Sequence, residues 1–163
     1  MAAILTLENL NYGYIDGGYK REILKNLSYS FEEGTFYTIL GPSGSGKTTL
    51  LSIMAGLDKQ ESGKVYYGNE DVDKMGLYQY RRNKVGVVFQ SYNLITYLTG
   101  LENVLLAMTE TDNKLPKNHT ELAYALLNMV GIVNTKANRL VTRLSGGEQQ
   151  RIAIARAIAS NVD

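Results

Sequence analysis

The chain has 163 residues and a formal net charge of +1, with a mass of 18.1 kDa, enough for one domain with a real core. A hydrophobic fraction of 44% against 20% charged residues excludes a disordered chain. The near-neutral charge predicts no bulk attraction to nucleic acid or anionic membrane, so any phosphate chemistry must come from a local site. There is no cysteine and only one histidine, His119. A disulfide framework, a thiolate nucleophile and a multi-histidine metal site are therefore excluded. The start, MAAILTLENL, lacks the basic-then-apolar pattern of a secretory leader. No apolar run reaches the ~20 residues that a membrane helix needs.

In chain order, residues 3–10 alternate apolar and polar side chains and predict a strand. Residues 27–33 alternate again, Glu33-Gly34 is a turn signal, and a hairpin is expected there. Residues 35–40 (TFYTIL) are β-branched, aromatic and apolar, the composition of a buried strand. A helix from Lys47 stops at Gly56. Residues 63–67 and 85–89 predict further strands, and 74–84 a helix. Helical spacing returns over 101–109 and 120–130, with Leu122, Leu126 and Met129 on one stripe. The polar stretch 110–119, with Pro116 and His119, reads as a loop, and Gly147 to Ser160 as a last helix. A strand-rich start and a helix-rich 90–143 predict two lobes.

The run Gly41-Pro42-Ser43-Gly44-Ser45-Gly46-Lys47-Thr48 fits G-x-x-x-x-G-K-S/T throughout, between a predicted strand and a predicted helix. Glycines let the backbone curl around an anion, and successive N–H groups then point inward. The following helix adds its positive end. Lys47 supplies a point charge for the β- and γ-phosphates, and the Thr48 hydroxyl suits Mg²⁺, which takes hard oxygen ligands.

A second constellation, Leu-Ser-Gly-Gly-Glu-Gln-Gln-Arg at 144–151, leads into a helix and again offers a hydroxyl and free N–H groups at a helix start. One chain rarely needs two γ-phosphate sites. A symmetric dimer, in which each signature completes the partner's site, resolves this.

These motifs together resemble the ATP-binding subunit of ABC transporters, over essentially the whole chain. The resemblance implies an α/β P-loop fold of the ABC ATPase type. It would have an N-terminal antiparallel β part, an ATP-binding core from about 1–90 and 144–163, and a helical lobe from about 91–143. It implies that Gln90, in VGVVFQSYNL, is the glutamine that approaches Mg²⁺ and the attacking water, and that Tyr14 stacks on adenine, with Tyr12 and Tyr19 as competing neighbours. Residues Gly41 to Thr49 would wrap the phosphates, with Lys47 and Gln90 serving catalysis and Thr48 and Gln90 the metal. Ser145, Gly146, Gly147 and Glu148 would face the γ-phosphate held by the partner copy. The cofactors implied are ATP and Mg²⁺. The implied partners are a second copy and a membrane-spanning subunit touching residues 91–99, at the inner face of the cell membrane, without membrane insertion and without nucleic acid. GLD at 56–58, FQSYNL, LENV at 101–104, LSGGEQQR and the insert Ile15–Arg21 resemble the branch of lipoprotein-release, macrolide and antimicrobial-peptide exporters.

Three departures matter. Thr96 stands where relatives often carry proline, and Glu148 where glutamine is commoner. The sequence ends at Asn161-Val162-Asp163, before the strand, metal-binding aspartate, catalytic glutamate and switch histidine of the family. His119, in its polar stretch, does not match that histidine. Negligible hydrolysis by these 163 residues alone is therefore expected, and a binding-only fragment is one alternative. A soluble ATPase of DNA or ribosomes is another. It is opposed by the absence of a heptad run between the two motifs.

Overall fold

The computed structural model describes residues 2–160. They fall into two compact units, Met1–Arg81 and Arg82–Asp163, with the boundary inside a helix.

The first unit is built on a four-stranded antiparallel sheet in the order β2-β1-β3-β4. Strands β1 (Ala3–Asp16) and β2 (Tyr19–Glu32) form one long hairpin closed at Gly17-Gly18. β3 (Ser62–Tyr67) pairs with the other side of β1 and carries the short β4 (Glu70–Asp71). Asn9 and Asn26 adopt left-handed φ of 49° and 47°, near register shifts of the β1–β2 ladder. Side chains hold both bends: the Asn9 N–H donates to Ser28 Oγ at 2.8 Å, and the Asn26 N–H to Asn11 Oδ1 at 2.8 Å. Leu7, Leu10, Leu24 and Val65 from the sheet are buried, as are Leu50 and Ile53 of α1 (Lys47–Met54). Behind them stand α2 (Val72–Met75) and the start of α3 (Leu77–Lys84). Tyr80 is buried edge-on against Tyr67, and its hydroxyl donates to the Met54 carbonyl at 2.8 Å. Burial pushes that phenol up to about 12.

The second unit is helical: α4 (Gly100–Glu110), α5 (His119–Met129), α6 (Asn134–Ala137), a short 3-10 turn at Val141–Arg143, and α7 (Gly146–Ala159). Val104, Met108, Leu127, Ile132, Val141 and Ile152 form its buried apolar centre. Gly100 permits the closest approach: a Cβ there would lie 2.9 Å from Ile152 Cδ1 and 3.3 Å from the Ala137 carbonyl.

Several expectations change. Residues 35–40 and 85–89 carry no strand ladder among the described residues. Strand-like composition does not make a strand unless a neighbour takes the backbone bonds. Phe36 is 92% exposed and Leu40 85%. The turn at Glu33-Gly34 exists, but β2 pairs with β1 and not with 35–40. The helix expected over 74–84 is two helices, because Gly76, at φ 90° and ψ 128°, ends α2. His119 is not a loop residue but the first residue of α5, whose cap is Asn118. Met129 leaves the predicted stripe and is 74% exposed; Ala123, Leu126 and Leu127 are the buried face of α5.

Candidate functional site

The phosphate-type loop lies between segment 35–40, exposed at Phe36 and Leu40, and α1. Gly44 and Gly46 have φ of 78° and 90°, a region closed to most side chains. Gly46 is also sterically fixed: a Cβ would lie 2.6 Å from Ile23 Cγ2. It caps α1 with no side-chain hydrogen bond to the helix N–H groups, and no acidic residue sits in the first turn. That leaves the positive end of the helix uncompensated, which suits an anion. The Lys47 ammonium folds over its own loop, donating to the carbonyls of Gly41 (2.9 Å) and Pro42 (2.7 Å) and to Ser45 Oγ (3.4 Å). Pro42, Ser43, Gly44, Ser45 and Thr48 are exposed, and Thr49 is half-buried. Backbone curl, lysine and an open helix start together form a cradle that suits a phosphate-type anion.

The tyrosines of the hairpin separate by their contacts. The Tyr12 hydroxyl donates to Asp58 Oδ2 at 2.6 Å, and that carboxylate pushes the phenol pKa up. Tyr12 is thereby tied to the segment after α1. Tyr14 stands two residues nearer the tip, opposite Arg21, and is 45% exposed. Across the hairpin, Ile23 and Leu24 reach toward Gly46. A groove of about 370 Å³ elsewhere in this unit, among Leu7, Leu27, Phe31, Ile39 and Leu50, has an apolar lining and is not this cradle.

In the second unit, the signature opens α7. Ser145 and Glu148 make a reciprocal capping box: the Ser145 N–H donates to Glu148 Oε2 at 2.9 Å, and the Glu148 N–H to Ser145 Oγ at 3.4 Å. Lys136 Nζ reaches Glu148 Oε1 at 2.5 Å. The lysine first, and then the Ser145 N–H, hold the Glu148 carboxyl down to about 2. The Glu148 side chain thus serves the helix start, and its charge is matched within the unit. Gly146 and Gly147 are exposed beside it. Gln90 is exposed at the start of a turn in the same unit. The turn continues through Tyr92 and Asn93, both left-handed at φ 63° and 48°. Arg156 of α7 donates to the carbonyls of Tyr92 (2.9 Å) and Asn93 (2.5 Å). Residues 95–99 are pinned from α4 by Asn103, 1% exposed. Its Oδ1 accepts from the Ile95 N–H at 2.8 Å, and its Nδ2 donates to the carbonyls of Ile95 (3.2 Å) and Thr99 (2.9 Å).

So Tyr14 and the phosphate-type loop share the first unit, and Gln90 and the signature share the second. The sequence reading missed Asn103, Lys136 and Arg156. Two of them carry a visible signal: a lone polar residue on an apolar helical stripe in Leu-Glu-Asn-Val, and a lone arginine inside Ile-Ala-Arg-Ala-Ile.

Residues 24–163 match the ABC transporter family. The chain belongs to that family. It is 40% identical over 161 residues to YclH of Bacillus subtilis, an uncharacterized ABC transporter ATP-binding protein, covering 99% of this chain and 70% of that one. It is 42% identical to MJ0796 of Methanocaldococcus jannaschii, an uncharacterized ABC transporter ATP-binding protein, covering 97% and 69%. The solved dimeric post-hydrolysis structure of the MJ0796 cassette, bound to ADP and Pi, superposes with a TM-score of 0.88 at 40% identity, covering 97% of this chain and 70% of that one. CbiO1 of Clostridium perfringens, part of an ABC transporter complex, superposes at 0.80 with 28% identity, covering 99% and 63%. This ABC cassette therefore has the P-loop ABC ATPase fold and is of the ATP-binding subunit type, from a family of ATPases. No helix among its described residues is long and apolar enough to cross a membrane.

Proposed function

We propose that this cassette binds Mg·ATP at Gly41–Thr49 and, as part of an ABC transporter, drives a membrane-spanning partner. The observation that carries the reading is the Gly44–Lys47 cradle, with its left-handed glycines, converging lysine and uncapped helix start. Lys47 holds the β- and γ-phosphates, Thr48 and Gln90 are the side chains that would hold Mg²⁺, and Tyr14 stacks on adenine. Bound Mg²⁺ supplies neutralising charge to the phosphates. Two copies associate head to tail, with Ser145, Gly146, Gly147 and Glu148 of one facing the nucleotide of the other. Glu148 acts there by building the helix start. The dimeric cassette of MJ0796 supports this arrangement. Residues 91–99, held by Arg156 at Tyr92 and Asn93 and by Asn103 at Ile95 and Thr99, are the surface for the membrane partner, at the inner face of the membrane. The exporter branch fits the motifs FQSYNL and LSGGEQQR. A binding-only reading of these 163 residues is favoured by one observation: 35–40 and 85–89, which flank the site in sequence, lack a ladder among the described residues.

The test is nucleotide titration by calorimetry. Lys47→Ala is expected to abolish Mg·ATP binding without loss of circular dichroism. Unchanged affinity in that variant sinks the assignment. ATP turnover by the wild-type chain that disappears in Lys47→Ala refutes the binding-only reading.

A further inference from the structure

The turn after Gln90 has an unusual build. Two consecutive non-glycine residues, Tyr92 and Asn93, sit in left-handed backbone, where L-residues are disfavoured. Local bonds close the turn: the Tyr92 N–H donates to the Phe89 carbonyl at 3.1 Å, and the Asn93 N–H to the Ser91 carbonyl at 2.7 Å. Ser91 Oγ adds a bond to Asn93 Oδ1 at 2.8 Å. The left-handed pair leaves the carbonyls of Tyr92 and Asn93 adjacent, and the guanidinium of Arg156 takes both. Arg156 is half-buried, and burial pulls its pKa down. Among the described residues it makes no ion pair. A planar fork that bonds two carbonyls at once is a task for arginine and not for lysine. The Tyr92 side chain also lies along the same helix. A Cβ on Gly146 would come within 3.3 Å of its hydroxyl, so the tyrosine runs from Arg156 back to the start of α7. Ten residues of helix rise about 15 Å, a span that one arginine and one tyrosine side chain bridge together.

We infer that Arg156 is a positioning residue that ties the Gln90 turn to α7, so that residues 89–95 and the signature helix hold or lose their order as one piece. Whatever reaches the exposed Gly146-Gly147 end of α7 is then felt at Gln90 through Tyr92 and Arg156. The inference goes beyond the nucleotide reading above and does not depend on it, because the tie is made entirely by this chain's own residues.

Hydrogen exchange of the free chain, followed residue by residue by NMR, tests it. The reporters are the Tyr92 and Asn93 amides, with the α5 amide of Leu122, bonded to the Asn118 carbonyl at 3.2 Å, as the reference. Arg156→Met keeps the apolar stem and removes the fork. It is expected to speed exchange at Tyr92 and Asn93 tenfold or more while leaving Leu122 within twofold. Arg156→Lys, the milder change, retains the charge but not the bidentate geometry and is expected to fall between. Unchanged exchange at Tyr92 and Asn93 in both variants overturns the inference. So does an equal rise at Leu122, which marks Arg156 as a general stabiliser of the unit. Full wild-type protection in Arg156→Lys overturns the bidentate tie.

Discussion

Replacing Asn103 by alanine removes three hydrogen bonds from a side chain that is 1% exposed, yet the three losses are unequal. The Ile95 carbonyl keeps the Leu98 N–H at 3.1 Å, and the Thr99 carbonyl keeps the Asn103 backbone N–H at 3.0 Å. Only the Ile95 N–H is left with nothing. A buried orphan of this kind costs ~1–3 kcal/mol, and each lost bond whose acceptor keeps another partner adds ~0.5 kcal/mol. A small cavity beside Val104 adds about 1 kcal/mol more. The expected loss is therefore about 3–5 kcal/mol, which lowers a urea midpoint by roughly 1.5–2.5 M at ordinary slopes. Urea unfolding followed by circular dichroism measures it. Asn103→Asp supplies a signature that cavity formation cannot mimic. It keeps the acceptor for Ile95 but turns a carboxylate toward two carbonyls, which raises its folded pKa above the unfolded value. Its stability is then lost as pH rises through that folded pKa and regained on acidification. A loss below ~0.5 kcal/mol in the alanine variant refutes the reasoning, as does a pH-independent aspartate variant.

Two further outcomes follow from the same geometry. Tyr14→Ala is expected to weaken ATP about fivefold, the equivalent of ~1 kcal/mol of stacking; abolished or unchanged binding in a titration refutes the role. The Glu148 carboxyl, held down to about 2 against an ordinary value of 4.5, stabilises the fold fully above pH 4.5, and that contribution is lost as pH falls toward 2. Glu148→Gln is expected to flatten this acid limb in a pH series of melting curves, and superimposable limbs contradict the ion pair with Lys136.

The sequence is most informative where structure is local. The spacing of Leu101 to Met108 and of Gly147 to Ala159 reports the apolar stripes of α4 and α7, and both caps are written as Thr-x-x-Glu and Ser-x-x-Glu. The phosphate-type loop is legible for the same reason, since its glycines, lysine and helix start are contiguous. What is missed depends on partners. Residues 35–40 have strand composition, but a ladder is a property of two segments. The left-handed Asn9 and Asn26 bend the hairpin through side chains from the facing strand, which period-two alternation does not encode. Arg156 reads as one polar residue in an apolar helix until the fold brings Tyr92 and Asn93 beneath it, more than sixty positions away in sequence.

The folded posture of Lys47 has a thermodynamic consequence. Its three N–H donors are already engaged by Gly41, Pro42 and Ser45, so a phosphate does not meet a vacant cation. At least one existing bond must open for each new one that forms, and the measured heat of binding is the difference between two sets of contacts of similar strength. The loop's own carbonyls thus compete for its lysine, and affinity is set by how much better an anion serves the ammonium than they do.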